Sequence, residues 1–160
     1  KTEVMMDGLF FANGVTLGPN EDYVLVNETG MGRVHRLWLK GDKAGQRDIF
    51  TDELPGTPDN IRFDGESTFW IAMPSLRADL DILASLPRLR ALLSFLPISV
   101  LEAAAQPGSF VIGVNLEGEI IHNLQDQDNP FHYITGVTPC GNNLYLGSLQ
   151  TEAIGVLPKP

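Results

Sequence analysis

Two short segments carry more asparagine and aspartate than a core strand tolerates: Phe11-Ala12-Asn13-Gly14-Val15 and Thr57-Pro58-Asp59-Asn60-Ile61. Asn13 and Asp59 stand 46 positions apart. If each segment opens a repeated unit, neutral and anionic oxygens from separate strands converge on one axis. Such a donor set suits calcium, which takes roughly 6–8 oxygen ligands in irregular geometry. Asn-Gly and Pro-Asp-Asn are also ordinary turn signals, so the pattern alone leaves the metal and the turn readings open. His35, His122 and His132 show no His-x-x-x-His spacing, and the chain has a single cysteine, Cys140. A zinc site is therefore not expected. His35 reads as structural within a strand, and His132, just ahead of the third unit, is a weaker candidate for a proton shuttle facing the axis. Glu28, at a strand end, reads first as a hydrogen-bonded structural carboxylate and only second as a ligand. Asp126 and Asp128 read as a solvated loop. No Gly-x-Ser-x-Gly elbow or glycine-rich phosphate loop occurs, which removes the serine-hydrolase and nucleotide-binding classes.

The elements that must position these residues are bounded by composition. At 160 residues, 43% hydrophobic and 19% charged, the chain fits about one globular domain with a real core. Its net charge of -9 argues against nucleic acid and against anionic membrane surfaces, because phosphate contacts need clustered Lys and Arg. A cation or a neutral small-molecule substrate suits that charge better. Cys140 excludes an internal disulfide and is expected to be a small buried hydrophobe. No uninterrupted apolar run approaches the roughly 18 residues of a membrane span. Lys1-Thr2-Glu3 leads straight into Val4-Met5-Met6 with no signal-peptide pattern, and a chain opening this way is expected to be a fragment or a processed form. The compartment is left open.

Most of the chain reads as short strands between turns. Gly14–Leu17, Tyr23–Asn27, Arg33–Lys40 and Arg47–Thr51 form a first group, punctuated by Gly/Pro/Asn-rich turns. Asn60–Phe63, Thr68–Met73, Ser109–Asn115 and Glu119–Leu124 form a second, with Asn115-Leu116-Glu117-Gly118 as a tight hairpin between the last two. Tyr133–Val137, Asn143–Gly147 and Ala153–Leu157 form a shorter third. In the strand Arg33–Lys40 neither alternating face is cleanly polar, as expected for a strand covered on both sides. Repetition every ~40–50 residues with about four strands per unit is the pattern of propeller blades. The expected organisation is an all-β partial propeller over 1–160. Its blades fall at 10–53, at 57–124 and, lacking a fourth strand, at 131–160. A helical insertion at 77–105 interrupts the second blade: Leu76, Leu80, Leu83 and Leu86 or Leu89, Leu92, Leu93 and Leu96 recur at helical spacing, and Pro87 and Pro97 divide the segment into two or three short helices. It is expected either to pack on the propeller face or to act as a hydrophobic lid.

Several stretches together resemble one family. They include Phe10-Phe11-Ala12-Asn13-Gly14-Val15, Tyr23-Val24-Leu25-Val26-Asn27-Glu28-Thr29, Arg33-Val34-His35-Arg36-Leu37-Trp38-Leu39-Lys40-Gly41 and Leu54-Pro55-Gly56-Thr57-Pro58-Asp59-Asn60-Ile61. Phe69-Trp70-Ile71-Ala72 and Leu144-Tyr145-Leu146-Gly147-Ser148-Leu149 extend the match over nearly the whole chain. The sequence resembles the carboxy-terminal half of the strictosidine synthase-like family. That family lies within the calcium-dependent six-bladed propellers and is similar to gluconolactonase/regucalcin, the paraoxonases and the squid-type phosphotriesterase. The resemblance implies a calcium ion as cofactor. Asn13 matches a calcium ligand, Asp59 a ligand that can also serve as base or nucleophile, and Asn60 a further ligand. The remaining ligands, a glutamate and another asparagine, belong to the other half of such propellers. A missing amino-terminal half or a second copy is therefore expected to close the ring.

One departure narrows the function. Plant strictosidine synthase carries a catalytic glutamate in its last blade, the base for Pictet–Spengler condensation. Aligned on Gly147-Ser148, that place falls near Pro139, with no acidic residue close by in Thr135–Gly141. The resemblance thus implies a calcium-dependent hydrolase of lactones or related esters. The alternatives are a condensing enzyme or a non-catalytic propeller that binds a ligand.

Overall fold

The computed structural model describes residues 1–77, 110–126 and 131–160. Eleven strands are described. In chain order they are β1 (Ala12–Leu17), β2 (Tyr23–Glu28), β3 (Arg33–Trp38), β4 (Arg47–Thr51), β5 (Ile61–Phe63) and β6 (Phe69–Met73). They continue as β7 (Phe110–Val114), β8 (Ile120–Gln125), β9 (Ile134–Cys140), β10 (Asn143–Ser148) and β11 (Gly155–Pro158). They form three antiparallel sheets with orders β1-β2-β3-β4, β5-β6-β7-β8 and β11-β10-β9. The up-and-down order within each sheet is that of propeller blades, two of four strands and one of three. The inner strands converge, β1 lying against β5 and β5 against β9. Beyond Arg77, the helical insertion expected over 77–105 lies outside the described residues, as does Asp128.

Period-two alternation explains how the sheets stack. In β6, Phe69, Ile71 and Met73 enter a core shared with Tyr23, Leu25, Val34 and Phe50 of the first sheet. Trp70 and Ala72 of the same strand enter a second core with Val137, Leu144 and Leu146 of the third sheet. The central sheet is therefore covered on both faces, and every residue of β6 and β7 is buried. A row across β6, β7 and β8 shows why Gly113 stands there. Gly113 pairs with both Trp70 and His122, whose rings stack over it at 5.4 Å. A Cβ at 113 would lie 3.1 Å from Trp70 and 3.0 Å from His122.

The hairpin joining β7 to β8 follows from Asn115. Its side-chain oxygen accepts the amides of Glu117 and Glu119 at 3.1 and 2.8 Å, the local bonding that makes asparagine a turn former. On β3, Val34, His35 and Leu37 are all buried, so both faces are covered as the mixed alternation predicts. Cys140 departs from expectation: it is exposed. It ends β9 beside the Gly141 turn, where, among the described residues, the third sheet has no further sheet to pack its outer residues. Those outer faces are apolar at both ends of the array. Val15, Leu17 and Ile49 are exposed on the first sheet, and Tyr145 and Val156 on the third.

Candidate functional site

Because β1, β5 and β9 lie side by side, the residues that open them meet. The Gly14 amide donates to the Asp59 carbonyl at 3.0 Å, and the Asn60 amide to the Thr135 carbonyl at 3.2 Å. The Asp59 amide donates back into its own sheet, to Ala72 at 2.9 Å. Glycine is required at 14, since a Cβ there would sit 2.3 Å from the Asp59 carbonyl oxygen. The three sheets are thus stitched together along their inner edge by main-chain bonds.

Two irregularities aim this junction. β1 pairs with β2 as Ala12↔Glu28 and then Val15↔Val26, so one extra residue is taken up at Asn13-Gly14. β9 pairs with β10 as Gly136↔Gly147 and then Ile134↔Ser148, which leaves Thr135 as the extra residue. A bulge turns a side chain or carbonyl out of the ladder. The Thr135 carbonyl accordingly accepts the Asn60 side-chain amide as well, at 2.7 Å.

Asn13, Asp59 and Asn60 come together here. Asp59 is half-buried and Asn60 exposed. Burial pushes the Asp59 carboxyl above its ordinary pKa, while a hydrogen bond from the Asn13 side chain works against that rise. The Asn60 amide lies 3.3 Å from the same carboxyl. An ionised carboxylate only accepts hydrogen bonds, so both asparagines turn their NH₂ groups to Asp59 or Thr135, and their side-chain oxygens are the atoms that could meet a cation. One carboxylate with two neighbouring side-chain amides is a donor set that could hold part of the shell of a hard cation such as calcium. Among the described residues no group of three or more His, Cys, Asp or Glu side chains gathers.

Three residues that hold this junction have no signal of their own in the motifs that mark the site. Asn27 is wholly buried and its Nδ2 donates to the Asp59 carbonyl at 2.7 Å, while its Oδ1 has no partner. The Thr29 hydroxyl donates to the Pro58 carbonyl at 2.6 Å. The third is Thr135. An indirect signal for Asn27 exists in the alternation of β2. Tyr23, Leu25 and Asn27 share the core-facing side, and Asn27 is the one residue of the three that cannot serve as a hydrophobe.

Glu28 is a structural carboxylate, as its position at a strand end suggests. Its Oε2 accepts Arg33 Nε at 2.6 Å and His35 Nε2 at 2.7 Å, and its Oε1 accepts the Phe10 amide at 2.6 Å. Burial alone would raise its pKa, but the bonds from Arg33, Phe10 and His35, with the Arg33 charge, hold it down at about 2. The ionised Glu28 makes His35 Nε2 a donor and fixes that ring as structural. His132 is half-buried, and its backbone carbonyl accepts the Ser148 hydroxyl at 2.5 Å.

Comparisons with known proteins bear on the family. The family model for strictosidine synthase matches residues 1–42, the stretch that contains Asn13, Asn27 and Glu28. Protein STRICTOSIDINE SYNTHASE-LIKE 10 of Arabidopsis thaliana is 35% identical over 165 residues, 98% of this chain and 43% of that relative. The chain belongs to the strictosidine synthase-like family. Other members are similar to it across the same span. Protein STRICTOSIDINE SYNTHASE-LIKE 6 of Arabidopsis thaliana is 38% identical over 92% of the chain and 39% of its own length. The adipocyte plasma membrane-associated protein of Gallus gallus is 33% identical over 96% of the chain and 39% of its own length. The chain spans about two fifths of the length of these curated relatives.

Proposed function

We propose that this member of the strictosidine synthase-like family belongs to a calcium-dependent hydrolase of lactones or related esters, with the site at Asn13, Asp59 and Asn60. One observation carries the reading. Asn13 and Asn60, from two sheets, gather at a half-buried Asp59 carboxylate with no cationic side chain among the causes that set its pKa. Asn13 and Asn60 would lend their side-chain oxygens to the ion and Asp59 its carboxylate. When bound, calcium supplies polarisation of the ester carbonyl and stabilisation of the developing oxyanion. Asp59 would hold the ion through its carboxylate and would take a proton from an attacking water at a carboxylate oxygen. The bonds from Gly14, Asn27 and Thr135 would keep these groups in place while charge develops nearby.

A condensing activity has less support. The strands β9, β10 and β11 carry no carboxylate, and Pro139 stands opposite Leu144 near the place the condensing glutamate would take. The exposed apolar outer faces support a further element of the proposal: additional blades cover them, from more of the same polypeptide or from a second copy. Hydrolysis of a lactone panel by the full-length protein, with calcium and with a chelator, tests the reading. Turnover that stops on chelation supports it. Condensation of tryptamine with secologanin, or calcium binding with no turnover of any lactone or ester, would overturn it in favour of the condensing or the ligand-binding propeller.

A further inference from the structure

Three consecutive residues at the end of β2 reach both halves of the candidate site. Asn27 and Thr29 bond the carbonyls of Asp59 and Pro58, at 2.7 and 2.6 Å. Glu28, on the opposite face of the same strand, accepts the Phe10 amide at 2.6 Å. The backbone continues the grip on that side. The Thr29 amide donates to the Phe11 carbonyl at 3.0 Å and the Gly30 amide to the Phe10 carbonyl at 3.1 Å. Phe11 holds a left-handed φ of 63°, which a bulky residue adopts only where its surroundings over-determine it. That turn delivers the chain into the bulge at Asn13.

We infer that Asn27-Glu28-Thr29 is a positioning clamp that sets Asn13 and Asp59 relative to each other. The inference rests on the reading of those residues as calcium ligands. None of the three clamp residues needs to touch the ion or the substrate. Asn27 and Thr29 fix the backbone that carries Asp59, and Glu28, itself locked by Arg33 and His35, fixes the backbone that carries Asn13. The two arms leave opposite faces of one strand, so a shift of β2 would move both ligands at once. The buried, unpartnered Oδ1 of Asn27 fits this role. A leucine would fill that side of the strand without leaving an acceptor unsatisfied, whereas the asparagine that stands there directs its amide to the Asp59 carbonyl.

The test uses full-length protein and three variants. Asn27→Leu keeps the shape and removes the donor, Thr29→Val removes only the hydroxyl, and Leu25→Ala serves as a neighbour on the same strand face with no bond to either loop. Calcium affinity is measured by calorimetry, and exchange of the Gly14 amide, bonded to the Asp59 carbonyl, is followed by NMR without calcium. The clamp predicts roughly 10–100-fold weaker calcium binding in Asn27→Leu, the usual loss on removing a residue that orients a metal ligand. It predicts a smaller loss in Thr29→Val and faster Gly14 exchange in both. Leu25→Ala should lower the melting temperature and leave affinity and relative Gly14 protection as in the wild type. If Asn27→Leu does not fold, Thr29→Val carries the test alone. Wild-type affinity and wild-type Gly14 exchange in the donor-deleted variants would overturn the clamp. If the wild type binds no calcium, the metal reading fails separately: faster Gly14 exchange would still support the clamp, and unchanged exchange would overturn it too.

Discussion

The two junctions between sheets are built differently. The first and second sheets meet through aromatic rings: Phe69 lies 4.8 Å from Phe63, 5.5 Å from Phe50 and 6.4 Å from Tyr23. Leu25, Leu54, Ile61 and Ile71 fill the space between. The inner end of this junction is closed by the bonds from Gly14, Asn27 and Thr29 to the Pro58-Asp59 backbone. The second and third sheets meet through a smaller, mainly aliphatic cluster. A cavity of about 500 Å³ opens beside it, lined among others by Val111, Leu124, Phe131, Ile134, Leu146 and Leu157. Dense ring packing resists small displacements, because drawing two rings apart forfeits dispersion energy with nothing to replace it. The candidate site sits at the end of the junction that can hold it still.

The sharpest way to break this contrast is to hollow each junction in turn. Phe69→Ala should destabilise by about 3–5 kcal/mol, since a wholly buried ring is replaced by a void. Leu146→Ala, beside a space that already exists, should cost only about 2 kcal/mol, the low end for such truncations. Urea unfolding of both variants checks the order, and equal losses would erase the distinction.

The next effect comes from Glu28, on the outer face of the first sheet. Its pKa drops on folding from an ordinary 4.5 to about 2. A depressed carboxylate pKa contributes stability at pH values above the unfolded one, and that contribution is lost as pH falls toward the folded one. The shift corresponds to about 3 kcal/mol. Glu28→Gln should therefore be less stable than the wild type by roughly that amount at pH 7. The gap should close between pH 4.5 and 2. A gap that stays constant over that range in denaturant titrations would show that the carboxylate charge is not what holds the Phe10 segment.

The smallest effect is expected on the far side of the central sheet. His122→Ala removes the ring stacked on Trp70 and should cost about 1 kcal/mol, the worth of such a pair beyond its burial. Thermal unfolding resolves a loss of that size, and a loss as large as that of Phe69→Ala would place the rigid junction on the wrong side.

Much of this was legible in the sequence, and the residues show why. Alternation and turn chemistry located every described strand, because each strand's own side chains decide whether it can sit between two sheets. Asn13, Asp59 and Asn60 stood out because polar residues at the opening of apolar strands demand a reason. Thr29 and Thr135 were not legible, and Asn27 only indirectly as the polar residue on the core-facing side of β2, since their roles exist only once different sheets are brought together. The bulges at Asn13-Gly14 and Thr135 were hidden for the same reason. Cys140 misled because composition predicts a buried thiol, whereas its place at the end of β9 is decided by which sheet has a neighbour.

The central claim is that Asn13, Asp59 and Asn60 form part of a calcium site whose charge is supplied by Asp59. Calorimetric titration of calcium into the full-length wild type, Asp59→Asn and Asn13→Ala tests it most directly. Asp59→Asn is nearly isosteric and should fold as the wild type does while losing calcium binding by the largest factor. Asn13→Ala should lose a neutral donor and bind more weakly by a smaller factor. Equal calcium affinity in the wild type and Asp59→Asn would contradict the claim and remove Asp59 from the site.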